Sequence, residues 1–363
     1  MGKWVKKASV DNTHQSFKAL LGTDLPIIQA PMAGVQDSAL AIAVSEAGGL
    51  GSLPCGMLNL DQIVSELEVI SAATTQAYNL NFFCHRMPAF NQRQHAEWRD
   101  ALTSYFAELD IDPTSLPITT NRLPFNHDIA DAIESYRPPI VSFHFGLPDH
   151  TLLARVKSWG TKVLSSATTL QEAMWLEANG ADGIIAQGLE AGGHRGMFLS
   201  EDITTQVGTA SLVPQIVQKV NLPVIAAGGI ADGRGVQAAM LLGAQAVQVG
   251  TAYLLCAETK TSTLHRSAIL SEQSQHTALT NIFTGRPARG IVNRAMRELG
   301  YMQPLAPTFP YASIEAAPLR RQAEQQGRDD FTPLWCGQNT SGCKAISAGE
   351  LTKALGKYSV TLQ

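Results

Sequence analysis

The chain has 363 residues, with 27 Lys and Arg against 31 Asp and Glu, and therefore a formal net charge of −4. Charged residues are only 16% of the chain and hydrophobic residues 45%, which excludes intrinsic disorder and a small disulfide-stabilised scaffold. Near-neutral charge without a basic stripe argues against nucleic acid as a partner. No segment approaches the roughly 18 uninterrupted apolar residues of a membrane span, so no membrane association is expected.

The cysteines are odd in number, scattered and free of any C-x-x-C pair, which argues against structural disulfides and against a metal site. The basic start, Met1–Lys7, is followed by neither an apolar segment nor a cleavage site, so it is not expected to be a signal peptide. The sequence therefore predicts a cytoplasmic globular protein. It carries no indication of oligomeric state.

Eight short apolar segments alternate with segments of helical periodicity, as βα units around a parallel sheet do. Most of them lack the polar alternation of a strand with one solvent-exposed face. Strands buried on both faces fit a closed (β/α)₈ barrel, or TIM barrel, and also a doubly wound sheet. The predicted strands are Leu25–Gln29, Gly49–Leu53, Tyr78–Phe83, Ile140–Phe145, Lys162–Ala167, Gly183–Gln187, Pro223–Ala227 and Ala246–Gly250.

Helix starts are predicted between these strands. Asp37 and Asp232 are expected N-caps, and Thr169 with Glu172 has the spacing of a capping box. Two stretches interrupt the βα alternation: one over about 84–138, and one after about 252. Further helices are predicted there, over Gln92–Glu108, Asp128–Tyr136, Thr263–Gln275, Ser313–Gln326 and Ser347–Leu355.

We predict an α/β fold in which residues 1–250 form a TIM-barrel domain that contains the insertion at about 84–138. Residues 251–363 are predicted to form a C-terminal extension. The insertion and the extension together are expected to make a smaller cap over the barrel mouth, where TIM barrels place their functional residues.

Two glycine turns follow the last two predicted strands. Gly228-Gly229 leads into the helix capped by Asp232, and Gly250-Thr251 lies one strand later. Glycines let backbone N–H groups approach an anion, and a helix N-terminus adds a favourable dipole. Each turn alone is typical of an ordinary loop, but the pair at adjacent late strands predicts a phosphate site. Neither turn has the Rossmann or the Walker spacing.

The segment from Glu190 to Gly196 places His194 among three glycines at a strand end. A histidine exposed there can accept a proton near neutral pH, although a hydrogen-bonded loop histidine is the alternative. We favour the functional interpretation, and we interpret Arg195 as a surface charge. His144 ends the fourth strand and faces the mouth either as a pocket residue or as a buried structural histidine.

Amide side chains stand at or near several strand ends: Gln29, Asn81, Gln187 and Gln248. Buried amides must be hydrogen-bonded, and they offer both donors and acceptors. They fit a planar heterocycle with a pyrimidine-like edge, or they satisfy neighbouring loops. The basic turn over 284–290 either clamps loops or is exposed, and Trp335 is a candidate lid residue.

Together these residues resemble the nitronate monooxygenase family, formerly called 2-nitropropane dioxygenases, and its class I members in particular. The resemblance runs from Pro26 to about Gln338 and implies a TIM barrel with a smaller cap, non-covalent FMN and no metal. Its most specific segments are Gln29–Met32, Ala186–Gly196, Ala227–Ile230, Gln248–Thr251 and Phe283–Gly290.

The resemblance also implies roles for individual residues. His194 matches the catalytic base and His144 a second pocket histidine. The implied cofactor-binding residues border the flavin ring, contact it, or surround its ribityl chain and phosphate. They are Ala30, Pro31, Met32, Asn81, Gln187, Gly192, Gly193, Gly228, Gly229, Gln248, Val249, Gly250 and Thr251.

The implied reaction is oxidative denitrification of an alkyl nitronate by O₂, giving a carbonyl compound and nitrite, with propionate 3-nitronate as the expected substrate. Two alternatives stay open. Flavin enoyl-ACP reductases and NADH:quinone reductases are FMN barrels that require NAD(P)H, and the former share the Pro-Met and Glu-Ala-Gly-Gly-His elements. A barrel that only stores flavin or binds a phosphate ligand is the non-enzymatic alternative.

Overall fold

The computed structural model describes residues 17–116, 120 and 122–357, so the basic segment Met1–Lys7 lies outside the described residues. Eleven strands are present in this part of the chain. They are β1 (Ile27–Gln29), β2 (Gly51–Pro54), β3 (Tyr78–Phe83), β4 (Ile140–His144), β5 (Lys162–Ala167), β6 (Gly183–Gln187), β7 (Gly193–His194), β8 (Val224–Ala227), β9 (Ala246–Val249), β10 (Thr277–Thr280) and β11 (Ala288–Ile291).

Eight of these strands form one parallel sheet in the order β1-β9-β8-β6-β5-β4-β3-β2. The sheet closes on itself, because Leu50 donates its N–H to the carbonyl of Ile27 (2.8 Å) and accepts from Gln29 (2.9 Å). Each predicted apolar segment overlaps one of the eight strands. The closed barrel is therefore confirmed, and the doubly wound sheet is excluded.

The strands are buried on both faces, as their composition indicates. Alternate residues such as Ile184 pack outward against the helices, while Ile185 and Ile225 pack inside the barrel with Ile28. This layering fills the barrel with branched apolar side chains, so the fold leaves room for a ligand only at its ends.

Helices cover the outside of the barrel and build the cap. They are α1 (Ser38–Glu46), α2 (Leu60–Ala73), α3 (Gln92–Ala101), α4 (Thr103–Glu108), α5 (His127–Glu134), α6 (His150–Ser158), α7 (Leu170–Ala178), α8 (Thr209–Val217), α9 (Gly233–Leu241), α10 (Thr263–Leu270), α11 (Arg294–Leu299), α12 (Ser313–Gln325) and α13 (Ala348–Gly356). None of the helices in the described part of the chain has the length and apolarity needed to cross a membrane.

The predicted N-caps are confirmed at Asp37 and Asp232, whose carboxylates accept from backbone N–H groups at 3.0 and 2.9 Å. Thr169 also caps its helix, but the predicted capping box is wrong. The carboxylate of Glu172 is buried and accepts instead from the N–H groups of Thr168 (2.7 Å) and Phe198 (2.6 Å). The Glu172 carboxylate therefore holds the segment after β7 in place through Phe198.

The insertion and the C-terminal extension share one hydrophobic cluster. Trp98 and Phe106 of the insertion pack with Phe283, Met296 and Leu319 of the extension. The helix predicted over 92–108 is broken into α3 and α4. The boundary between a barrel domain and a cap domain at residue 250 stays a prediction.

Candidate active site

A cavity of about 360 Å³ lies at the carboxyl ends of the barrel strands, where cap residues also line it. Its size is within the usual range for small-molecule sites. His144, His194 and all the predicted cofactor-binding residues except Val249 line this cavity. Val249 is 1% exposed and packs in the hydrophobic core, while its carbonyl accepts from the N–H of Ala30 (2.8 Å).

The glycine turns after β8 and β9 line the cavity, and the first of them has a conformation that depends on glycine. Gly228 and Gly229 have φ values of +116° and +71°, in the left-handed region that other residues rarely adopt. Gly192 lies so close to the C-terminal extension that a Cβ there would stand 2.5 Å from the backbone nitrogen of Gly337. The same nitrogen donates to Thr251 Oγ1 (2.9 Å), so the extension closes over the turns.

Two of the candidate amides are engaged within the protein. Gln29 accepts from the N–H of Ser52 (3.0 Å) and donates to Gln36 (2.8 Å), and it does not line the cavity. Gln187 donates to the carbonyl of His194 (2.9 Å) and accepts from the N–H of Gly196 (2.7 Å). Gln29 therefore supports a loop, and the Gln187 side chain holds the segment that carries His194.

Gln248 differs from the other amides. Its Oε1 is buried against the cavity and has no hydrogen-bond partner among the described residues. Asn81, by contrast, is hydrogen-bonded within the protein, because its side chain donates to the hydroxyl (2.9 Å) and the carbonyl of Ser142. An unpaired buried acceptor costs free energy unless a ligand supplies the donor. Gln248 is thus placed to accept from a ligand N–H.

His194 belongs to β7, which pairs with β11 so that His194 lies opposite Ala288. The cap therefore holds the candidate catalytic residue in a strand, where the sequence indicates only a loop. His194 Nε2 is 2.9 Å from the hydroxyl oxygen of Thr284, and that hydroxyl is placed to donate to the carbonyl of Arg286 (3.4 Å). Nδ1 has no partner among the described residues, and its lone pair is free in the tautomer in which Nε2 donates to Thr284.

Burial and the positive charge of Arg122 hold the pKa of His194 well below its ordinary value. The imidazole is therefore neutral at pH 7. Its ring stands among aromatic side chains, with centroid distances of 5.5 Å to Phe309 and 5.6 Å to Trp335. A neutral ring with a free lone pair can accept a proton or a hydrogen bond from a ligand.

His144 supports His194 through the backbone. Its Nε2–H donates to the carbonyl of His194 (3.1 Å), and its Nδ1 accepts from the hydroxyl of Ser166 (3.0 Å). Burial lowers the pKa of His144 to about 4, so this arrangement is neutral. Both of its ring nitrogens are occupied, although the ring lines the cavity.

The interpretation of Arg195 as a surface charge is wrong, since its side chain is fully buried. Its guanidinium donates to the carbonyls of Gln187 (2.8 Å) and Gly188 (2.7 Å) and to Gln206 Oε1 (2.9 Å). The basic turn over 284–290 acts as a clamp, because Arg286 lies 4.0 Å over the ring of Phe145 and binds a backbone carbonyl.

Sequence reasoning missed several cavity residues, among them Phe83, Arg122 and Arg320. Arg122 lies in the long insertion, where no motif surrounds it. No group of three or more His, Cys, Asp or Glu that could hold a metal ion occurs in the described ranges.

Relatives of this chain carry consistent names. The sequence matches the family model described as nitronate monooxygenase over residues 14–357. A protein of that name from Paraburkholderia phytofirmans is 41% identical over 341 residues, covering 93% of this chain and 92% of the relative. Another from Pseudomonas aeruginosa is 39% identical and covers 93% of this chain and 97% of the relative.

Two solved structures share the fold over nearly the whole chain. A nitroalkane oxidase from Streptomyces ansochromogenes superimposes with a TM-score of 0.82 at 37% identity, covering 93% of this chain and 96% of that one. FabK from Thermotoga maritima superimposes with a TM-score of 0.70 at 27% identity, covering 94% of each chain. The family match spans nearly the whole sequence, and the chain therefore belongs to the nitronate monooxygenase family of oxidoreductases.

Proposed function

We propose that this chain uses FMN and O₂ to convert an alkyl nitronate, with propionate 3-nitronate as the expected substrate, to a carbonyl compound and nitrite. One observation carries the proposal: a neutral histidine with a free ring nitrogen lines the same cavity as two glycine turns and an unpaired amide oxygen. A phosphorylated heterocycle with a ring N–H would use both the glycine turns and the amide oxygen.

The residues present fit FMN. The turns at Gly228-Gly229 and Gly250-Thr251 would hold its phosphate, and Gln248 Oε1 would accept from a ring N–H. Pro31 and Met32 supply apolar contacts beside them. When bound, FMN supplies a one-electron acceptor for the nitronate and a route for electrons to O₂.

His194 acts at the substrate. Because its pKa lies well below the ordinary value, His194 is unprotonated and its Nδ1 can take the α-proton of a neutral nitroalkane. Burial also makes the protonated imidazole unfavourable. Removal of a proton from a neutral nitroalkane by His194 is therefore disfavoured. A preformed nitronate needs no proton removed, and we infer that it is the better substrate.

Aromatic residues give His194 an apolar surrounding in this part of the cavity. Phe83, Phe309 and Trp335 surround the imidazole at centroid distances of 5.5 to 6.3 Å. Electrostatic interactions are stronger in such an environment than in water. The negative charge of a nitronate bound there would also balance the positive charge of the arginines that line the cavity, Arg122 and Arg320.

Purified protein is expected to be yellow and to release FMN on heat denaturation. In anaerobic solution a nitronate should bleach the flavin, and admission of O₂ should restore the colour and release nitrite. Bleaching by NADH but not by a nitronate would contradict the proposal and favour an NAD(P)H-dependent flavin reductase.

A matched pair of variants tests the phosphate position. Gly229→Asp should lower the FMN content sharply, because a carboxylate would repel the phosphate. Gly229→Asn has the same size, and asparagine tolerates the left-handed conformation at this position (φ +71°). Equal FMN loss in both variants would indicate backbone strain alone and would leave the phosphate site unsupported.

A further inference from the structure

The charge of the cavity is opposite to that of the chain. The sequence has more acidic than basic residues, yet the described residues that line the cavity include the cations Arg122, Lys260 and Arg320 and no Asp or Glu. A cavity with this lining attracts anions. The FMN phosphate, which the proposed function places at the glycine turns, would be one such anion.

Two of the three cations are neutralised within the protein. Lys260 Nζ lies 3.3 Å from Asp37 Oδ2, and Arg320 Nε lies 2.8 Å from Glu324 Oε1.

Arg122 differs, because no carboxylate lies within ion-pair distance of its guanidinium in the described ranges. Its guanidinium acts on His194, since its charge is the strongest of those that lower the pKa of the imidazole. Burial, with a smaller effect of Arg320, lowers the pKa of Arg122 to about 10, so it remains charged at neutral pH. A half-buried cation without a counter-charge is costly unless a ligand supplies one.

Arg122 and the glycine turns belong to connections that leave the barrel at different strands. Arg122 lies in the segment that joins β3 to β4, whereas the glycine turns follow β8 and β9. In the closed strand order, β3 and β8 are four strands apart and thus on opposite sides of the eight-stranded barrel. Because the charge of Arg122 acts on His194, Arg122 is placed to pair with an anion that binds beside this histidine.

We propose that Arg122 binds a carboxylate of the substrate and thereby makes the site selective for nitronates that carry a carboxylate. This inference rests on the proposed function, because it assumes that the nitronate group itself lies at His194. The planar guanidinium matches a carboxylate in a two-point hydrogen-bonded pair, which fixes both distance and orientation. Arg122 is thus a specificity-determining residue, and its neighbour Arg320 adds to the field that attracts the anion.

The kinetic test compares two nitronates of similar length: propionate 3-nitronate, and the nitronate of 1-nitropropane, which lacks the carboxylate. In Arg122→Met, kcat/KM for the carboxylated substrate should fall about 10- to 100-fold, the value of one charge-assisted hydrogen-bonded pair. The substrate without the carboxylate should lose much less, because it loses only the attraction between its nitronate charge and Arg122, and the FMN content should be unchanged. Arg122→Lys should recover part of the loss. The control Arg93→Met removes an exposed cap arginine and should change neither substrate.

A binding measurement provides a readout independent of turnover. Succinate has one carboxylate to stand in for the nitronate group and one for the tail, whereas butyrate lacks the second. By calorimetry on the FMN-loaded enzyme, succinate should bind about 10- to 100-fold more tightly than butyrate, and Arg122→Met should remove this difference.

The outcomes separate the two proposals. Equal loss of kcat/KM on both nitronates, or equal binding of succinate and butyrate to the unmodified enzyme, would overturn the carboxylate site. If neither nitronate is oxidised but succinate binds through Arg122, the proposed reaction fails and the anion site stands.

Discussion

His194 is positioned mainly through its backbone. Its carbonyl accepts from both His144 and Gln187, and its ring makes one hydrogen bond, to Thr284. The free nitrogen is therefore fixed without being occupied. Preorganisation of this kind is what proton transfer requires, because small displacements of a catalytic group reduce the rate strongly.

Replacement of His194 separates a role as general base from a role in binding the nitronate. In His194→Asn, oxidation of neutral nitroalkanes should fall by about 10²–10⁴-fold, the usual value of general base catalysis, while preformed nitronates should lose much less. Nitrite release from the two forms of one substrate measures the difference, and FMN should stay bound.

Equal loss on both substrate forms would instead indicate that His194 binds the nitronate. The matched variant Thr284→Val keeps the imidazole and removes only its hydrogen-bond partner. It should therefore reduce nitroalkane oxidation less than His194→Asn does.

At the residue scale, the sequence predicts those features that depend on residue type and local spacing. Glycine pairs followed by a capped helix indicate a close backbone approach, and they line the cavity as expected. Arg195 could not be predicted, because a buried arginine and an exposed one have the same local sequence. Arg122 was missed for a related reason: its position depends on how the long insertion folds over the barrel.

Among the elements, the short strand β7 links the barrel to the cap. Arg195, the residue after it, donates its N–H to Pro287 (2.8 Å) and its guanidinium to two carbonyls at the end of β6. Through its backbone and its side chain, Arg195 thus connects β6, β7 and the turn before β11.

Arg195→Met should reduce both stability and activity. Loss of the three guanidinium hydrogen bonds in a fully buried position is expected to lower the free energy of unfolding by about 3 kcal/mol. Displacement of β7 should also lower kcat on nitronates. Urea denaturation and steady-state kinetics measure the two effects.

Arg234→Met is the control for this variant. It removes an arginine whose side chain is 85% exposed and should leave both quantities unchanged. Normal stability in Arg195→Met would show that the carbonyls find other donors.

The strands were predictable for a physical reason that does not apply to the cap. A strand buried on both faces requires a continuous apolar segment, which is visible in one dimension. The pairing of β7 with β11 joins segments about 95 residues apart, and no local pattern encodes it. The break between α3 and α4 likewise follows from packing of Trp98 and Phe106 in the cap cluster.

For the whole molecule, buried histidines couple stability to pH. Burial lowers the pKa values of His85, His144 and His265 to about 4, below the ordinary value of 6.5. Between these values the unfolded chain binds more protons than the folded one, so stability is fully present above pH 6.5 and is lost as the pH falls toward 4. Glu315 opposes this trend, because burial raises its pKa to about 7.

The net effect is a loss of stability in mild acid. Each histidine contributes up to about 1.4 kcal/mol per pH unit, and Glu315 cancels one of the three, so roughly 2 kcal/mol should be lost per unit between pH 6 and 5. Urea denaturation of the FMN-saturated protein at several pH values measures this slope. His265→Gln should lower the slope by about half, because it removes one of the two histidines that Glu315 does not cancel. A slope of zero in the unmodified protein would mean that these histidines are protonated in the folded state, and His194 could then not be assumed neutral.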